Sequence, residues 1–384
     1  MVWTKKSGTI LKRGHNVWQI RWEVRGPDGK RKRPARTIVG SYREADRELR
    51  RIRAATDNGL TPKNSKITVA KYLDWWFQTD VIPDVRPRTS ERYGSDVRLH
   101  ISPVIGGIRL DHLQAADAQM VLSKMLKAGS APKSVRHCYR VMRMALKHAV
   151  EKGILQANVT DSVKPPRLEP TELEVPSLEE VQHILELADS TPYGSVLRFM
   201  VSTGCRRGEA LGLEWRHLDL ENGSASIVQS LQRIGRTGLQ LVPPKSAKSR
   251  RSVALDEHTV EMLRSHRWGQ ILTMAQLGSG YEDNGLVFPG PMGKALDPAT
   301  LTRNFEKLAR CAGKSHVRLH DLRHFHASLL LKEGVHLKVV QERLGHSSIA
   351  ITADIYSHVA PSLQKEAAEV FGRVAGMVKS PNSI

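Results

Sequence analysis

The stretch Thr203-Gly204-Cys205-Arg206-Arg207-Gly208-Glu209-Ala210-Leu211-Gly212-Leu213-Glu214-Trp215 places a tight turn directly before a helical pattern. Arg206 follows the Thr-Gly turn, and Glu209 lies one helical turn further on, on the same face. The Glu209 carboxylate can therefore hold the Arg206 guanidinium. A single arginine near a helix start is usually a surface residue, so its role depends on what the rest of the chain supplies.

Four later segments carry further basic side chains and a tyrosine. They are Pro244-Lys245-Ser246-Ala247-Lys248-Ser249-Arg250-Arg251, His320-Asp321-Leu322-Arg323-His324, Leu344-Gly345-His346 and Asp354-Ile355-Tyr356. Short strands are predicted at residues 225–228 and 239–242 before the first segment and at 253–255 after it, which puts Lys245 near a hairpin turn. Each segment alone also has an ordinary explanation, such as a solvated basic turn or a packed tyrosine.

Together the five segments hold the groups needed to break a DNA strand without hydrolysing it. A tyrosine phenol, with a pKa of about 10, is both a usable nucleophile and a good leaving group on reversal. The planar fork of arginine grips two phosphate oxygens and keeps its charge. A lysine ammonium on a turn can reach and protonate the leaving 5′-oxygen.

The composition favours a nucleic-acid partner. The 384-residue chain has a formal net charge of +20, and its 40% hydrophobic content is enough for the interiors of two or three domains. A ribosome-like or merely basic protein is the alternative. The three cysteines, few and far apart, indicate no disulfide framework and no zinc cluster. Without a signal-peptide pattern or an apolar run of about 18 residues, we expect no membrane contact and a cytoplasmic location.

No cofactor or metal site is expected. His320, His324 and His326 could together suggest a metal. Asp321 is the sole carboxylate beside them, however, and Arg323 would repel a cation. The sequence also has no Gly-x-x-x-x-Gly-Lys-Ser/Thr loop for ATP and no acidic cluster for magnesium. Fixed basic side chains would then stabilise the negative charge on the phosphate, as a metal ion does in other enzymes.

The first 60 residues have the pattern of a small basic module. Residues 17–25 alternate apolar and polar side chains, as in a half-buried strand, and residues 26–29 follow as a turn. A basic return strand comes next, and Ser41 with Glu44 predicts a capping box that opens a helix. Because the charge is nearly all positive, we favour DNA binding over an ordinary charged face. The candidate DNA contacts are Arg21, Arg25, Arg31 and Arg33.

A polar linker at residues 61–65 leads to a helical region. Its first buried helix face is predicted at Val69, Tyr72, Leu73 and Trp76. Residues 134–152 then carry an apolar stripe beside a basic one, for which a solvated helix face is the alternative to DNA binding. The basic stripe consists of Arg136, Arg140, Arg143 and Lys147. A proline-punctuated linker at residues 164–176 and a capping box at Ser177 mark the start of a new domain.

In order and spacing, the five segments resemble the active site of the tyrosine recombinases, the family that includes phage integrases. The resemblance runs from about residue 65 to the end and is strongest from residue 202 onward. The residues that fill the family's catalytic positions are Arg206, Lys245, His320, Arg323, His346 and Tyr356. By resemblance the tyrosine is the nucleophile, the two arginines clamp the phosphate, the lysine protonates the 5′-oxygen and the two histidines assist. From the residues alone, Arg207 and Lys248 remain alternatives to Arg206 and Lys245.

The resemblance also implies a multidomain architecture. A small N-terminal β-sheet plus helix module, residues 1–60, is similar to the arm-type DNA-binding domains of phage integrases. An all-α core-binding domain is expected at 66–165, and a mixed α+β, mainly helical catalytic domain with a C-terminal tail at 173–384. The tail has apolar residues at helical spacing, which would pack either on a neighbouring protomer or on their own domain. These residues are Ala367, Val370, Phe371 and Val374.

The sequence therefore predicts a site-specific recombinase, most similar to a phage or mobile-element integrase, that works through a 3′-phosphotyrosine intermediate. The expected partners are double-stranded DNA attachment sites, a homotetramer on DNA, an accessory DNA-bending protein and a directionality factor, in the nucleoid of a bacterial host cell. A type IB topoisomerase and a DNA-binding regulator with a vestigial site are the alternatives. The N-terminal basic module argues against the first, and the complete residue set argues against the second.

Overall fold

The computed structural model describes residues 3–5, 8–22, 24–25, 31–57, 67–169, 174–244, 250–353 and 368–375. The chain divides into two compact units, Met1–Pro170 and Thr171–Ile384. Among the described helices, none has the length and apolar character that a membrane span needs.

The first unit begins with a small antiparallel sheet covered by one helix. The sheet has the order β1 (Trp3–Lys5), β2 (Gly8–Gly14), β3 (Val17–Trp22) and β6 (Ala35–Val39), and the ribbon β4 (Val24–Arg25) with β5 (Arg31–Lys32) lies apart from it. Helix α1 is Tyr42–Asp57. The predicted alternation is confirmed, because Ile20 and Trp22 of β3 are buried against Leu49 of α1. The capping box is also present, since the Ser41 amide donates to the Glu44 carboxylate at 2.6 Å.

The rest of the first unit is helical. Its α-helices are α2 (Val69–Trp76), α3 (Ile82–Asp84), α4 (Pro87–Asp96), α5 (Ser102–Ile105), α6 (Ala115–Lys127) and α7 (Pro132–Glu151). Two π-helical turns, Phe77–Val81 and Val97–Ile101, connect α2 to α3 and α4 to α5. These helices enclose a core separate from that of the sheet. The fold expected for this region, an all-α bundle, is therefore what the structure has.

Tyr72 links the first and last long helices of this bundle. Its side chain is fully buried, and its hydroxyl donates to the Ala145 carbonyl of α7 at 2.7 Å. The same hydroxyl lies 3.0 Å from Nδ1 of His148. The apolar stripe predicted on α7 is confirmed as its buried face. Tyr72 thus fixes α2 against α7 with a satisfied polar group inside the core.

The second unit mixes helices with short strands. Its helices are α8 (Leu178–Asp189), α9 (Gly194–Thr203), α10 (Arg207–Leu211), α11 (Glu257–Leu277), α12 (Pro298–Cys311), α13 (Asp321–Lys332) and α14 (Leu337–Leu344). Its strands are β7 (Leu218–Asp219), β8 (Ser224–Ile227), β9 (Ser230–Ile234), β10 (Gly238–Val242) and β11 (Arg251–Ala254). The order β11-β8-β7 forms one sheet, and β9 pairs with β10 in a hairpin. The predicted capping box opens α8, with Ser177 and Glu180 bonded to each other.

The connection between β10 and β11 differs from the prediction. β10 pairs with β9, whereas β11 pairs with β8, so the two strands beside the lysine-rich segment belong to different sheets. The strands on either side of the lysine-rich segment are therefore not paired with each other, contrary to a hairpin between them. Lys245 and Lys248 themselves, like the predicted turn at 26–29 and the linker at 61–65, lie outside the described residues.

A short helix at residues 368–374 contains three of the four apolar tail residues, while Ala367 lies outside the description. In the single chain, Val370 is 48% exposed, Phe371 67% and Val374 84%. The helical spacing predicted for the tail is confirmed for these three residues.

Removing the Tyr72 hydroxyl should loosen the helical bundle. Tyr72→Phe removes a second hydrogen bond from the Ala145 carbonyl, which keeps its main-chain bond within α7, so the free energy of local opening should fall by about 0.5–1.5 kcal/mol. Hydrogen–deuterium exchange of the full chain measures this in peptides from α2 and α7. Tyr93→Phe is the matched control, because this half-buried tyrosine of the same bundle has no hydroxyl hydrogen bond to any described residue. Equal exchange in Tyr72→Phe and the wild type would contradict the role given to the hydroxyl.

Candidate active site

Arg206 lies at the junction of α9 and α10. Helix α9 ends at Gly204, whose φ of 64° belongs to the left-handed region that favours glycine. A Cβ at this glycine would also meet side-chain atoms of His326 and Leu344 at 2.6 Å. The turn therefore needs glycine for two reasons. It delivers Arg206 to the N-terminal end of α10, as the Thr-Gly pattern predicted.

Glu209 holds two arginines at once. Its Oε1 accepts from Nη1 of Arg206 at 2.7 Å, and its Oε2 accepts from Nη2 of Arg251 at 2.8 Å. The Arg206 backbone amide also donates to Oε2, at 3.0 Å. Burial disfavours the charged carboxylate, but Arg251 and Arg206 outweigh this and lower the pKa of Glu209 to about 2. The pairing of Glu209 with Arg206 expected from the sequence is confirmed, and the carboxylate is ionised at neutral pH.

Arg323 is a buried cation held by main-chain oxygens. Only 3% of the residue is exposed, and its guanidinium donates to the carbonyls of Gly204 and Leu344, each at 2.7 Å. Burial and the nearby Arg206 charge lower the pKa of Arg323 to about 9. It therefore still carries its charge at neutral pH.

Three arginines donate hydrogen bonds to carbonyls at the end of α14. The carbonyls of Arg343, Leu344 and Gly345 accept in turn from Arg251 at 2.6 Å, from Arg323 at 2.7 Å and from Arg206 at a longer 3.4 Å. The last carbonyls of a helix have no partner within the helix, and this end carries partial negative charge. The helix end thus offsets part of the repulsion among the three guanidinium groups.

His346 follows directly on this helix end. Its residue is 7% exposed, and its Nδ1 lies 2.8 Å from the Thr352 hydroxyl. Main-chain and side-chain bonds with Gln341 fix its backbone on both sides. Burial, together with Arg323 and Arg206, lowers the pKa of His346 to about 3. The ring is therefore neutral at pH 7 and can donate one hydrogen bond.

His320 precedes the first turn of α13 and is exposed. Desolvation, His324 and the Arg323 guanidinium lower its pKa, although solvent screens part of this effect. Its ring lies edge-on to that of His324, with centroids 5.0 Å apart. Both histidines are therefore favoured in the neutral state.

Arg207 and His326 lie close to the candidate residues in the sequence but make contacts elsewhere. Arg207 donates to the Thr302 hydroxyl of α12 and so points away from Glu209. His326 is buried, donates from Nδ1 to the Val201 carbonyl and accepts from Arg343. The structure thus brings Arg206, Arg323 and His346 together with His320 close by. Tyr356 lies outside the described residues, beyond a helical turn at 349–353.

The sequence does not single out two arginines that make hydrogen bonds around the site. Arg251 belongs to the lysine-rich segment, and Arg343 lies in the last turn of α14. A strand signal was available for Arg251, because it shares a face of β11 with Val253, which is buried. For Arg343, which donates to the carbonyls of Ala254 and Ser202 on distant elements, the sequence contains no comparable signal.

The residues proposed to bind DNA away from the site lie mostly on the surface. Those of the N-terminal module with described side chains, Arg21 and Arg33, are exposed, whereas the side chains of Arg25 and Arg31 lie outside the description. On α7, Arg136 is half-buried and the other three basic residues are exposed. Two of them form surface ion pairs, Arg143 with Asp161 at 3.0 Å and Lys147 with Glu151 at 3.5 Å.

Within the part of the chain that the structure describes, no three His, Cys, Asp or Glu side chains are grouped so that they could hold a metal ion. The three cysteines are free thiols.

Two sequence models of one family match the chain, and together they cover more than half of it. The model of the Phage integrase family matches residues 175–362, and that of the phage integrase N-terminal SAM-like domain matches residues 68–126. A "Tyrosine recombinase XerC-like" protein of Caldanaerobacter subterraneus subsp. tengcongensis is 26% identical over 95% of this chain and 98% of its own. An integrase of Saccharopolyspora erythraea is 26% identical over 85% of this chain and 87% of its own.

Solved structures share the fold. The Tn1549 transposon integrase, in complex with a circular intermediate DNA, matches with a TM-score of 0.64 and 18% identity over 78% of this chain and 99% of that one. A lambda integrase tetramer bound to a Holliday junction matches with a TM-score of 0.58 and 18% identity, over 88% of this chain and 94% of that one. The family expected from the five segments is confirmed: the chain belongs to the phage integrase family of tyrosine recombinases.

Proposed function

We propose that this chain is a site-specific DNA recombinase that integrates, and in the reverse direction excises, a phage or other mobile element. The observation that carries the proposal is the convergence of Arg206, Arg323 and His346 on the last turn of α14, in a chain of the integrase family. Two guanidinium groups and a neutral imidazole in one place form a site for a phosphodiester. The named relatives are recombinases and integrases, which favours this function over relaxation of supercoils.

The proposed reaction exchanges one phosphodiester for another. The Tyr356 oxygen loses its phenol proton to water and attacks the phosphorus, the bond from phosphorus to the 5′-oxygen breaks, and Lys245 gives a proton to that oxygen. The product is a 3′-phosphotyrosine and a free 5′-hydroxyl. Arg206 and Arg323 neutralise the charge that develops on the non-bridging oxygens, and His346 and His320 donate hydrogen bonds to it. Attack by a 5′-hydroxyl from a second duplex reverses the steps and joins exchanged strands.

The N-terminal sheet module is proposed as an arm-type DNA-binding domain over residues 1–60, followed by a core-binding domain at 66–165 and a catalytic domain at 173–384. Separate hydrophobic cores in the sheet and in the helical bundle support the first division. The match of the SAM-like family model within the bundle supports the second.

Strand exchange between two duplexes requires four cleavage events, so we propose a homotetramer on the DNA. The similarity to an integrase solved as a tetramer on a Holliday junction supports this. An accessory DNA-bending protein and a directionality factor complete the proposed assembly, which would act in the nucleoid of a bacterial host cell.

Tyr356→Phe should abolish covalent attachment to DNA and leave DNA binding unchanged, because only the nucleophilic hydroxyl is removed. The probe is a nicked duplex from the junction between the element that encodes the chain and its host chromosome. Adducts are counted on a denaturing gel, and binding is measured by mobility shift. Tyr193→Phe, at a half-buried tyrosine, is the matched control and should form adducts at the wild-type rate. Peptide mapping that placed the DNA on another tyrosine would refute the assignment.

Cleavage should persist in excess EDTA. The fixed charges of Arg206 and Arg323 already supply the electrostatic stabilisation that a metal ion gives in other phosphoryl transfers. The rate of adduct formation on the same nicked duplex, with and without EDTA, checks this. A large loss of rate at unchanged DNA binding would mean that the arginine site has been misinterpreted.

Arg21→Gln with Arg33→Gln, in the full chain, should weaken binding to attachment DNA without slowing cleavage of the core site. The slope of log K against log salt should become shallower by about 0.9 for each phosphate that the variant no longer neutralises. Arg310→Gln, at an exposed arginine of the second unit, serves as the control. An unchanged salt slope in the double variant would show that the N-terminal module does not bind the DNA backbone through these residues.

A further inference from the structure

We infer that Arg251 is a positioning residue for the cleavage reaction. It holds Glu209, and through Glu209 the Arg206 side chain, at a fixed distance from the end of α14, which His346 follows. The inference rests on the proposed function. In the proposed reaction, Arg251 contacts neither the phosphate nor the nucleophile.

The Arg251 side chain is buried, whereas the Arg206 side chain is accessible to solvent. The Arg251 side chain is 6% exposed, whereas that of Arg206 is 40% exposed. Both bind the same carboxylate, one on each oxygen of Glu209. Arg206 is therefore the more open arginine on this carboxylate, and in the proposed reaction it meets the phosphate while Arg251 acts from behind it.

Arg251 makes hydrogen bonds to two elements that are far apart in sequence. Its Nη2 binds Glu209 of α10 at 2.8 Å, and its Nε binds the Arg343 carbonyl of α14 at 2.6 Å. Its own backbone belongs to β11, which pairs with β8. One planar guanidinium thus sets the distance between α10 and the end of α14, and only a fork with several donors can do so.

The contact with Arg251 also explains why a glycine precedes His346 in Leu344-Gly345-His346. Gly345 has a φ of 65°, which favours glycine, and a Cβ there would lie 3.0 Å from Nη1 and 3.2 Å from Cδ of Arg251. The Arg251 side chain therefore packs against the backbone directly before His346. A shift of Arg251 would move both the first arginine of the phosphate clamp and the histidine.

The burial of this ion pair determines what the loss of Arg251 should change. Removing one partner of a buried ion pair usually destabilises a fold, because the other charge is left uncompensated. Glu209 keeps Arg206 as a partner in an Arg251 variant, so the contribution of Arg251 should appear in the reaction rate as well as in the stability of the fold. This makes Arg251→Met, which keeps the volume and removes the donors, an informative variant.

The test uses the full chain and the nicked attachment-site duplex at saturating enzyme. Arg251→Met should cleave about 100-fold more slowly than the wild type, the loss typical of a misplacement of about 1 Å. The dissociation constant for DNA should stay within about threefold, since Arg251 is enclosed. Arg251→Lys should recover part of the rate, because it keeps a charge beside Glu209 but cannot also reach the Arg343 carbonyl. Arg198→Met, which removes an arginine paired with Asp189 on the surface of the same unit, should cleave at the wild-type rate.

A positioning role predicts non-additivity. In an Arg206→Lys background, Arg251→Met should slow cleavage by clearly less than in the wild-type background, because the part of its effect that is transmitted through Arg206 is already lost. The same loss in both backgrounds, or wild-type cleavage by Arg251→Met, would overturn the inference while leaving the proposed function intact. If Arg251→Met fails to fold by circular dichroism, Arg251→Lys is compared in both backgrounds, and an additive or absent effect there also overturns it. A wild-type chain that forms no adduct would instead refute the proposed function and the inference with it.

Discussion

The structure of the site depends on the carbonyl groups at the end of α14. Three guanidinium groups, from Arg206, Arg251 and Arg323, would repel one another if nothing compensated their charges. The helix end offers three consecutive carbonyl oxygens, and Glu209 adds a full negative charge between two of the arginines. Only because this compensation is built from distant elements can the cations stay together before a phosphate arrives.

The charge balance that results suits phosphoryl transfer. Three arginines and one ionised glutamate leave a net positive charge at the site. The neutral state is favoured for His346 by burial and the arginines, and for the exposed His320 by partial desolvation and its cationic neighbours, which lower both pKa values. A phosphodiester bound there, as proposed, would meet fixed cations and neutral hydrogen-bond donors that need little rearrangement. Such preorganisation is what stabilises the charge of a pentacoordinate transition state.

Local features of the fold could be predicted from the sequence. The two capping boxes, the buried faces of α2 and α7, and the Arg206–Glu209 pair all join residues within one or two helical turns, where spacing determines contact. Strands β1, β2, β7 and β9 were not predicted. In β2 the apolar residues Ile10 and Leu11 are adjacent, which hides the period of two.

Contacts between distant parts of the chain could not be predicted. Arg251 meets Glu209 and the Arg343 carbonyl across separations of 42 and 92 residues, and no spacing rule connects them. The same holds for the expected hairpin at Lys245, because pairing of β11 with β8 is decided by the sheet as a whole. Family resemblance led to the prediction of Arg206, Arg323 and His346, whereas the end of α14, on which these three residues converge, became visible only in three dimensions.

The most direct measurement is a structure of the full chain bound to its nicked attachment-site duplex. The account predicts that non-bridging oxygens of the scissile phosphate lie within about 2.7–3.2 Å of the guanidinium groups of both Arg206 and Arg323. The Tyr356 oxygen should be bonded to, or in line with, the phosphorus, and Arg251 should remain on Glu209. A scissile phosphate bound elsewhere on the chain, with Arg206 and Arg323 free of DNA contacts, would contradict it.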